Sequence, residues 1–370
     1  MIYFFMIVIS CLIAMNVKNV DGKIVAVRYK VISSNKRKIK DIFHTIMSAV
    51  PPFLMSALRY GIGTDYLYGY VPIFYWVQYD NPKQKEVEEG YILLNKLVTF
   101  YTDNYQWIFV LTSFIYIACV FYALYKSSKK FWYSVLLFFL SYNYFNSYNI
   151  VRQEMAMAII LVGLTFLQDE AKIKDYVKFI VLVLIASTLH RTALISLLFP
   201  IIMNIKVDTK YILVFSIFGL FMKNTLIELF IGQAYFLHQR YLVYAGNISH
   251  SELPIQFLVF NSIFLALMLY LDYKNKDLRN DKHWNTAKWM QFIAVFSYSV
   301  QGMIPYVTRM ALYFTFPQII YLPNILVKHG SKVEKRWMYG LVTLVFLIDF
   351  LYNYFMGFGE IRPYTSIFNK

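Results

Sequence analysis

YQWIFVLTSFIYIACVFYALY, residues 105–125, carries no charged residue and is closed by Lys126, Lys129 and Lys130. A helix of that length covers ~30 Å, the thickness of bilayer hydrocarbon. A basic cluster at one end marks a cytoplasmic flank. Working outward, apolar runs of similar length recur through the 370 residues, 59% of which are hydrophobic. A transmembrane barrel would instead show ~10-residue segments of alternating polarity. The pattern predicts an all-α polytopic membrane protein, a single membrane domain over 1–370.

Crossings are expected at 1–17, 42–58, 105–125, 131–148, 150–168, 211–230, 254–272, 289–307, 309–327 and 337–356. Pro51 and Pro52 should kink or break the second. The interval 177–204 is flanked by lysines on both sides, so both its ends read as cytoplasmic. Two short helices meeting at His190, or a re-entrant hairpin, satisfy that parity; a single tilted helix is the alternative. The count is 12 with the hairpin and 11 without, and both termini are placed outside. The segment 59–104 is an outer loop, aromatic over 66–79 and then charged at NPKQKEVEEG. Its aromatic part is too short to span and suits the interface, where Tyr and Trp are favoured.

The net charge of +15 raises the question of nucleic acid. The basic residues concentrate in the loops assigned to the cytoplasm, eight of them in 18–41 alone. That is the positive-inside asymmetry, and no nucleic-acid partner is expected. Cys11 and Cys119 fall in apolar runs and read as small core residues. The first apolar stretch has its basic residues after it, so it reads as a retained helix and not as a cleaved signal.

Against this background five polar groups stand out. Arg59, Arg152, His190, Arg191 and Arg309 lie within or at the ends of apolar segments. A charge at the centre of a spanning helix costs ~2.5–3.5 kcal/mol on insertion scales, so each invites a functional reading. The ordinary readings are snorkelling toward headgroups for Arg152 and Arg309, an Arg152–Glu154 surface pair, and a satisfied core histidine at His190. The functional reading is a site for a phosphorylated lipid. Guanidinium forks suit phosphate oxygens, and histidine exchanges protons near neutrality. Asp65 follows Arg59 in RYGIGTDYLYGY and is a candidate base. Tyr66, Gln153 and Tyr313 are candidate sugar contacts. No DxD pair, HExxH, GxxxxGK[ST] or CxxC occurs, and no metal or other cofactor is expected.

The ordered set RYGIGTDYLYGY, NIVRQEMAMAI, STLHRTALISL, TRMALYF and RPYTSIF resembles the EpsG family, integral membrane proteins of bacterial exopolysaccharide and capsule loci regarded as Wzy-like (O-antigen-type) polymerases. The resemblance covers most of the chain; the basic loop 18–41 is longer than the family usually carries. It implies glycosyl transfer between undecaprenyl-diphosphate-linked oligosaccharides at the outer face of the inner membrane. Asp65 or His190 would be the base, and Arg152, Arg191 and Arg309 would hold the diphosphate, with Arg59 a weaker member. Membrane lipid and a chain-length regulator are the further candidate partners. Competing readings are another polyprenyl-linked transferase or ligase, a lipid-linked oligosaccharide flippase, and a membrane acyltransferase.

Overall fold

The computed structural model describes residues 1–18, 30–167, 171–205, 255–274, 281–299, 307–328 and 331–369. Within them the regular structure is helical, with one isolated bridge between Arg59 and Ser366. The helices are α1 (Ile2–Ala14), α2 (Lys30–Ala57), α3 (Val71–Gln78), α4 (Glu89–Tyr101), α5 (Gln106–Ser127), α6 (Phe131–Leu140), α7 (Asn143–Asn146), α8 (Val151–Leu164), α9 (Ile173–Leu189) and α10 (Phe199–Ile202). They continue with α11 (Ile255–Lys274), α12 (Lys282–Ser299), α13 (Val307–Thr315), α14 (Gln318–Lys328) and α15 (Lys332–Phe355). The all-α membrane class is therefore as the apolar runs predict. Among the described residues, Gln106–Ser127, Ile255–Lys274, Arg309–Val327 and Lys332–Phe355 are long and apolar enough to cross a bilayer. The expected crossing 211–230 lies outside the described residues.

The chain forms two compact units, Met1–Ser196 with Leu322–Lys370, and Leu197–Tyr321. In the first, α5 acts as a ruler ~33 Å long. At its start Gln106 Nε2 donates to the carbonyls of Ala57 (2.7 Å) and Arg59 (3.1 Å). At its end Asn324 Nδ2 donates to the Ser127 carbonyl (2.7 Å), while the Lys129 N–H donates to Asn324 Oδ1 (2.7 Å). The end of α5 and Lys129 are thus tied to α14 at one end of this unit. The outer-loop segment around Arg59 occupies the other end.

At that other end the C-terminal tail is part of the framework. The Tyr60 N–H donates to the Thr365 carbonyl (2.9 Å) and the Ile367 N–H to the Leu58 carbonyl (3.0 Å). Tyr3 and Tyr364 hydroxyls donate to the carbonyls of Ile361 and Met55. Asn149 ties three segments together. Its Oδ1 accepts from the Thr64 N–H (2.6 Å) and hydroxyl (2.9 Å), and its Nδ2 donates to the Gly359 carbonyl (3.0 Å). Gly63 makes this possible: its φ is +100°, and a Cβ there would sit 2.8 Å from the Tyr148 carbonyl oxygen.

Two expectations need correction. Pro51 and Pro52 do not break α2, which runs through both; Pro52 has no N–H to give the Ser48 carbonyl, which accepts instead from the Ser10 hydroxyl (2.6 Å), as a membrane helix tolerates proline when neighbours re-satisfy the backbone. The run 131–148 is not one continuous helix. It stops at Leu140, turns at Tyr142 with φ +63°, and resumes as the single turn α7. The interval 177–204 does break at His190, whose extended backbone (φ −156°, ψ 115°) ends α9 before a 3-10 segment over Arg191–Leu198.

The second unit is held by buried polar contacts. Lys288 Nζ lies 2.8 Å from Asp272 Oδ2, whose other oxygen accepts from Trp284 Nε1 at 2.9 Å. Gln291 Nε2 donates to the carbonyl and side-chain oxygens of Asn261, and Gln318 Nε2 to the Ala287 carbonyl. Side chains bonded in this way satisfy groups that lipid cannot.

Candidate functional site

The helices α8 and α9 form an antiparallel hairpin, so the first turn of one and the last residue of the other lie at the same end. Arg152 occupies the first position and His190 the second. Between them stands Glu88, the residue preceding α4. Glu88 Oε2 accepts from Arg152 Nη1, and Glu88 Oε1 lies 3.2 Å from His190 Nδ1. Side-chain exposure is 28% for Arg152, 13% for Glu88 and 17% for His190, so the cluster is partly exposed. The Tyr70 phenol, buried beside Arg152, feels the charges of both Arg152 and Asp65. The fully buried Tyr91 ring lies 6.0 Å from the Arg152 guanidinium carbon.

Two local features set this geometry. Glu88 has extended backbone (φ −63°, ψ 139°) at the start of α4, so its carboxylate emerges where the helix N-terminus favours negative charge. Gly90 lets α4 approach α9 closely. A Cβ at Gly90 would stand 2.3 Å from Thr188 Oγ1 and 2.8 Å from its carbonyl oxygen, two residues before His190.

Burial works against ionisation of Glu88, but the contact with His190 and the charge of Arg152 outweigh it. The carboxyl is held down to about 2 from an ordinary 4.5. Glu88 is therefore a fixed anion near neutral pH. His190 Nδ1 lies at ion-pair distance from this carboxylate without an aligned hydrogen bond in this conformation; a carboxylate so placed can stabilise an imidazolium as it forms.

The remaining candidates divide sharply. Arg191 is exposed, directly after His190. Asp65 is half-buried, accepts a hydrogen bond from the Thr64 hydroxyl (3.3 Å), and precedes the π-helical turn Tyr66–Tyr70. Arg59 is 1% exposed. Its Nη1 donates to the Ser56 carbonyl (2.6 Å) and hydroxyl (2.9 Å), and its guanidinium carbon lies 4.6 Å and 5.0 Å from the ring centres of Tyr148 and Phe109. In this conformation it offers no surface to a ligand. Tyr66, stacked on Phe109 at 4.0 Å, is fully buried; Gln153 and Tyr313 are buried as well. None of these three presents a face to a sugar here, whereas Tyr68 is 88% exposed. Arg309 is exposed and belongs to the second unit.

Glu154 also departs from the simple surface pairing with Arg152. Positions i and i+2 diverge on a helix, and Glu154 points inward, 0% exposed, accepting from Tyr116 Oη at 3.0 Å. The acid that pairs with Arg152 is Glu88, which sequence reasoning passed over inside a charged run. The available signal was an acidic pair followed by glycine, EEG, opening the apolar stretch that becomes α4.

No curated protein and no solved structure matches this chain. The EpsG family model matches residues 42–366, a span that contains Glu88 and every candidate named above. On that match over most of its length, the chain belongs to the EpsG family.

Proposed function

We propose that this protein is a polysaccharide polymerase that joins undecaprenyl-diphosphate-linked oligosaccharide repeat units at the outer face of the bacterial inner membrane. Family membership supports an exopolysaccharide-related polymerase. The observation that carries the finer reading is Glu88 standing between Arg152 and His190 in a partly exposed cluster.

The step is a displacement at the anomeric carbon of the donor. A sugar hydroxyl of the acceptor forms the new C–O bond while the bond to the diphosphate breaks. The hydroxyl proton passes to His190 Nε2, and undecaprenyl diphosphate leaves with the bonding electrons. In the reacting complex Glu88 pairs with Nδ1 and stabilises the imidazolium as it forms. Arg152 fixes Glu88 and contributes positive potential. Arg191, adjacent and exposed, is the foremost contact for the departing diphosphate, where charge grows in the transition state. Asp65 bonds to the Thr64 hydroxyl and not to the Glu88 cluster, which makes it secondary to His190 as base. Holding two lipids at one membrane face makes the encounter effectively intramolecular.

The test is analysis of lipid-linked glycans in cells deleted for this protein and complemented with wild type or Arg191→Ala at matched membrane levels. The proposal expects single repeat units to accumulate on the outer face, with a ladder restored by wild type alone. Accumulation on the inner face would make the protein a flippase. A ladder that persists without reaching its final acceptor would make it a ligase.

A further inference from the structure

Away from the Glu88 cluster, at the Lys129–Lys130 end of the first unit, α6 and α15 flank an open groove of about 570 Å³. Its mouth carries Lys130 and Arg336. Its walls continue through Tyr133, Tyr339 and Thr343 to Leu344 and Leu347. From Arg336 to Leu347 the groove runs ~16 Å along α15. It therefore has a cationic head and an apolar tail aligned with the direction a lipid takes in a bilayer.

The cationic head is constructed. Lys130 Nζ sits 3.7 Å from the Tyr339 ring centre and 5.1 Å from that of Trp132. Tyr339 is itself packed edge-on against Tyr133 at 4.8 Å, and Tyr133 Oη bonds to the Tyr339 carbonyl and the Thr343 hydroxyl. Among the described residues no carboxylate pairs with Lys130 or Arg336, so two positive charges face an opening with no protein anion. The groove floor is kept clear by Gly340, where an added Cβ would meet nothing within 4 Å.

We propose that this groove is a binding site for an anionic glycerophospholipid, its phosphate between Lys130 and Arg336 and one acyl chain along Leu344 and Leu347. Charge complementarity selects the occupant. A zwitterionic lipid brings its own cation to the mouth, and a neutral apolar tail leaves both charges unanswered. Basic pockets between membrane helices next to a basic loop recognise anionic headgroups by these means. The site does not depend on the glycan chemistry proposed above.

The test is native mass spectrometry of the full chain released from nanodiscs of phosphatidylcholine doped with phosphatidylglycerol. Retained adducts are expected to be enriched in phosphatidylglycerol. Enrichment should fall about tenfold in Lys130→Gln/Arg336→Gln, which removes two charges from a membrane surface. Gly340→Leu should abolish it by filling the groove while raising helix propensity, so the fold is kept. Equal retention of both lipids by wild type would overturn the proposal. So would loss in the charge variant with full retention in Gly340→Leu, since attraction would then be to the surface and not to the groove. Displacement of phosphatidylglycerol by equimolar undecaprenyl phosphate would overturn the assigned occupant.

Discussion

Arg59 and Arg152 are both guanidinium groups at ends of apolar segments, and in sequence they raise the same suspicion. The fold treats them oppositely. Arg59 is enclosed by aromatic rings and bonds to neutral oxygens of Ser56, beside the backbone bridge to Ser366. Arg152 is partly open and bonded to a carboxylate that also touches a histidine. Cation–π contacts and carbonyl bonds stabilise a buried charge in place. A shared carboxylate sets up proton exchange. The partner, and not the residue type, separates an arginine that holds the scaffold from one that belongs to the site.

The largest effect expected from this contrast is on activity. His190→Gln should lower polymer formation by about 10²–10⁴-fold, the usual scale of a lost general base, at unchanged membrane level. A wild-type glycan ladder from that variant would break the comparison on its functional side. On its structural side, Arg59→Ala should cost about 3 kcal/mol through lost ring contacts and a residual cavity. Thermal unfolding in detergent reads that loss, and polymer formed per folded molecule should stay within about twofold of wild type. If Arg59→Ala folds normally but makes no polymer, Arg59 belongs with Arg152 after all.

Gly90→Val sharpens the contrast by moving the cluster without changing any of its members. The added carbons meet Thr188, costing about 1–3 kcal/mol of overpacking. Because Thr188 stands two residues before His190, polymer formation should fall beyond what the lower folded fraction explains. The smallest effect is on stability against pH. Glu88 is held at about 2 in the fold against an ordinary 4.5. A depressed carboxyl contributes stability above its unfolded value and loses it as pH falls toward its folded one. The unfolding difference between wild type and Glu88→Gln should be complete at neutral pH and shrink between about pH 4.5 and pH 2.

Much of this was legible in the chain because membranes impose strong patterns. Uncharged runs such as 105–125 and the lysine clusters after them give the class and the ends of the helices. The flanking lysines of 177–204 favour a break near His190, and the chain does break there. Arg152 and His190 were readable as costly polar residues, and the fold brings both to Glu88; Asp65, equally readable, bonds to the Thr64 hydroxyl instead. Glu88 was not readable, since NPKQKEVEEG looks like a solvated charged loop and its partners are 64 and 102 residues away in sequence. The turn at Tyr142 was hidden for a different reason. Hydropathy averages over side chains, and a left-handed backbone within an aromatic run leaves no trace in it. Burial of Arg59, Tyr66 and Gln153 likewise depends on which face of a helix meets its neighbour, which ends of segments do not reveal.

The central claim is that Glu88 makes a working site of Arg152 and His190. The most direct measurement is the lipid-linked glycan profile of deleted cells complemented with Glu88→Gln at wild-type membrane level. Glutamine preserves the shape and removes the charge, so single repeat units should accumulate with no ladder. A normal ladder from Glu88→Gln would contradict the account and return Glu88 to the scaffold.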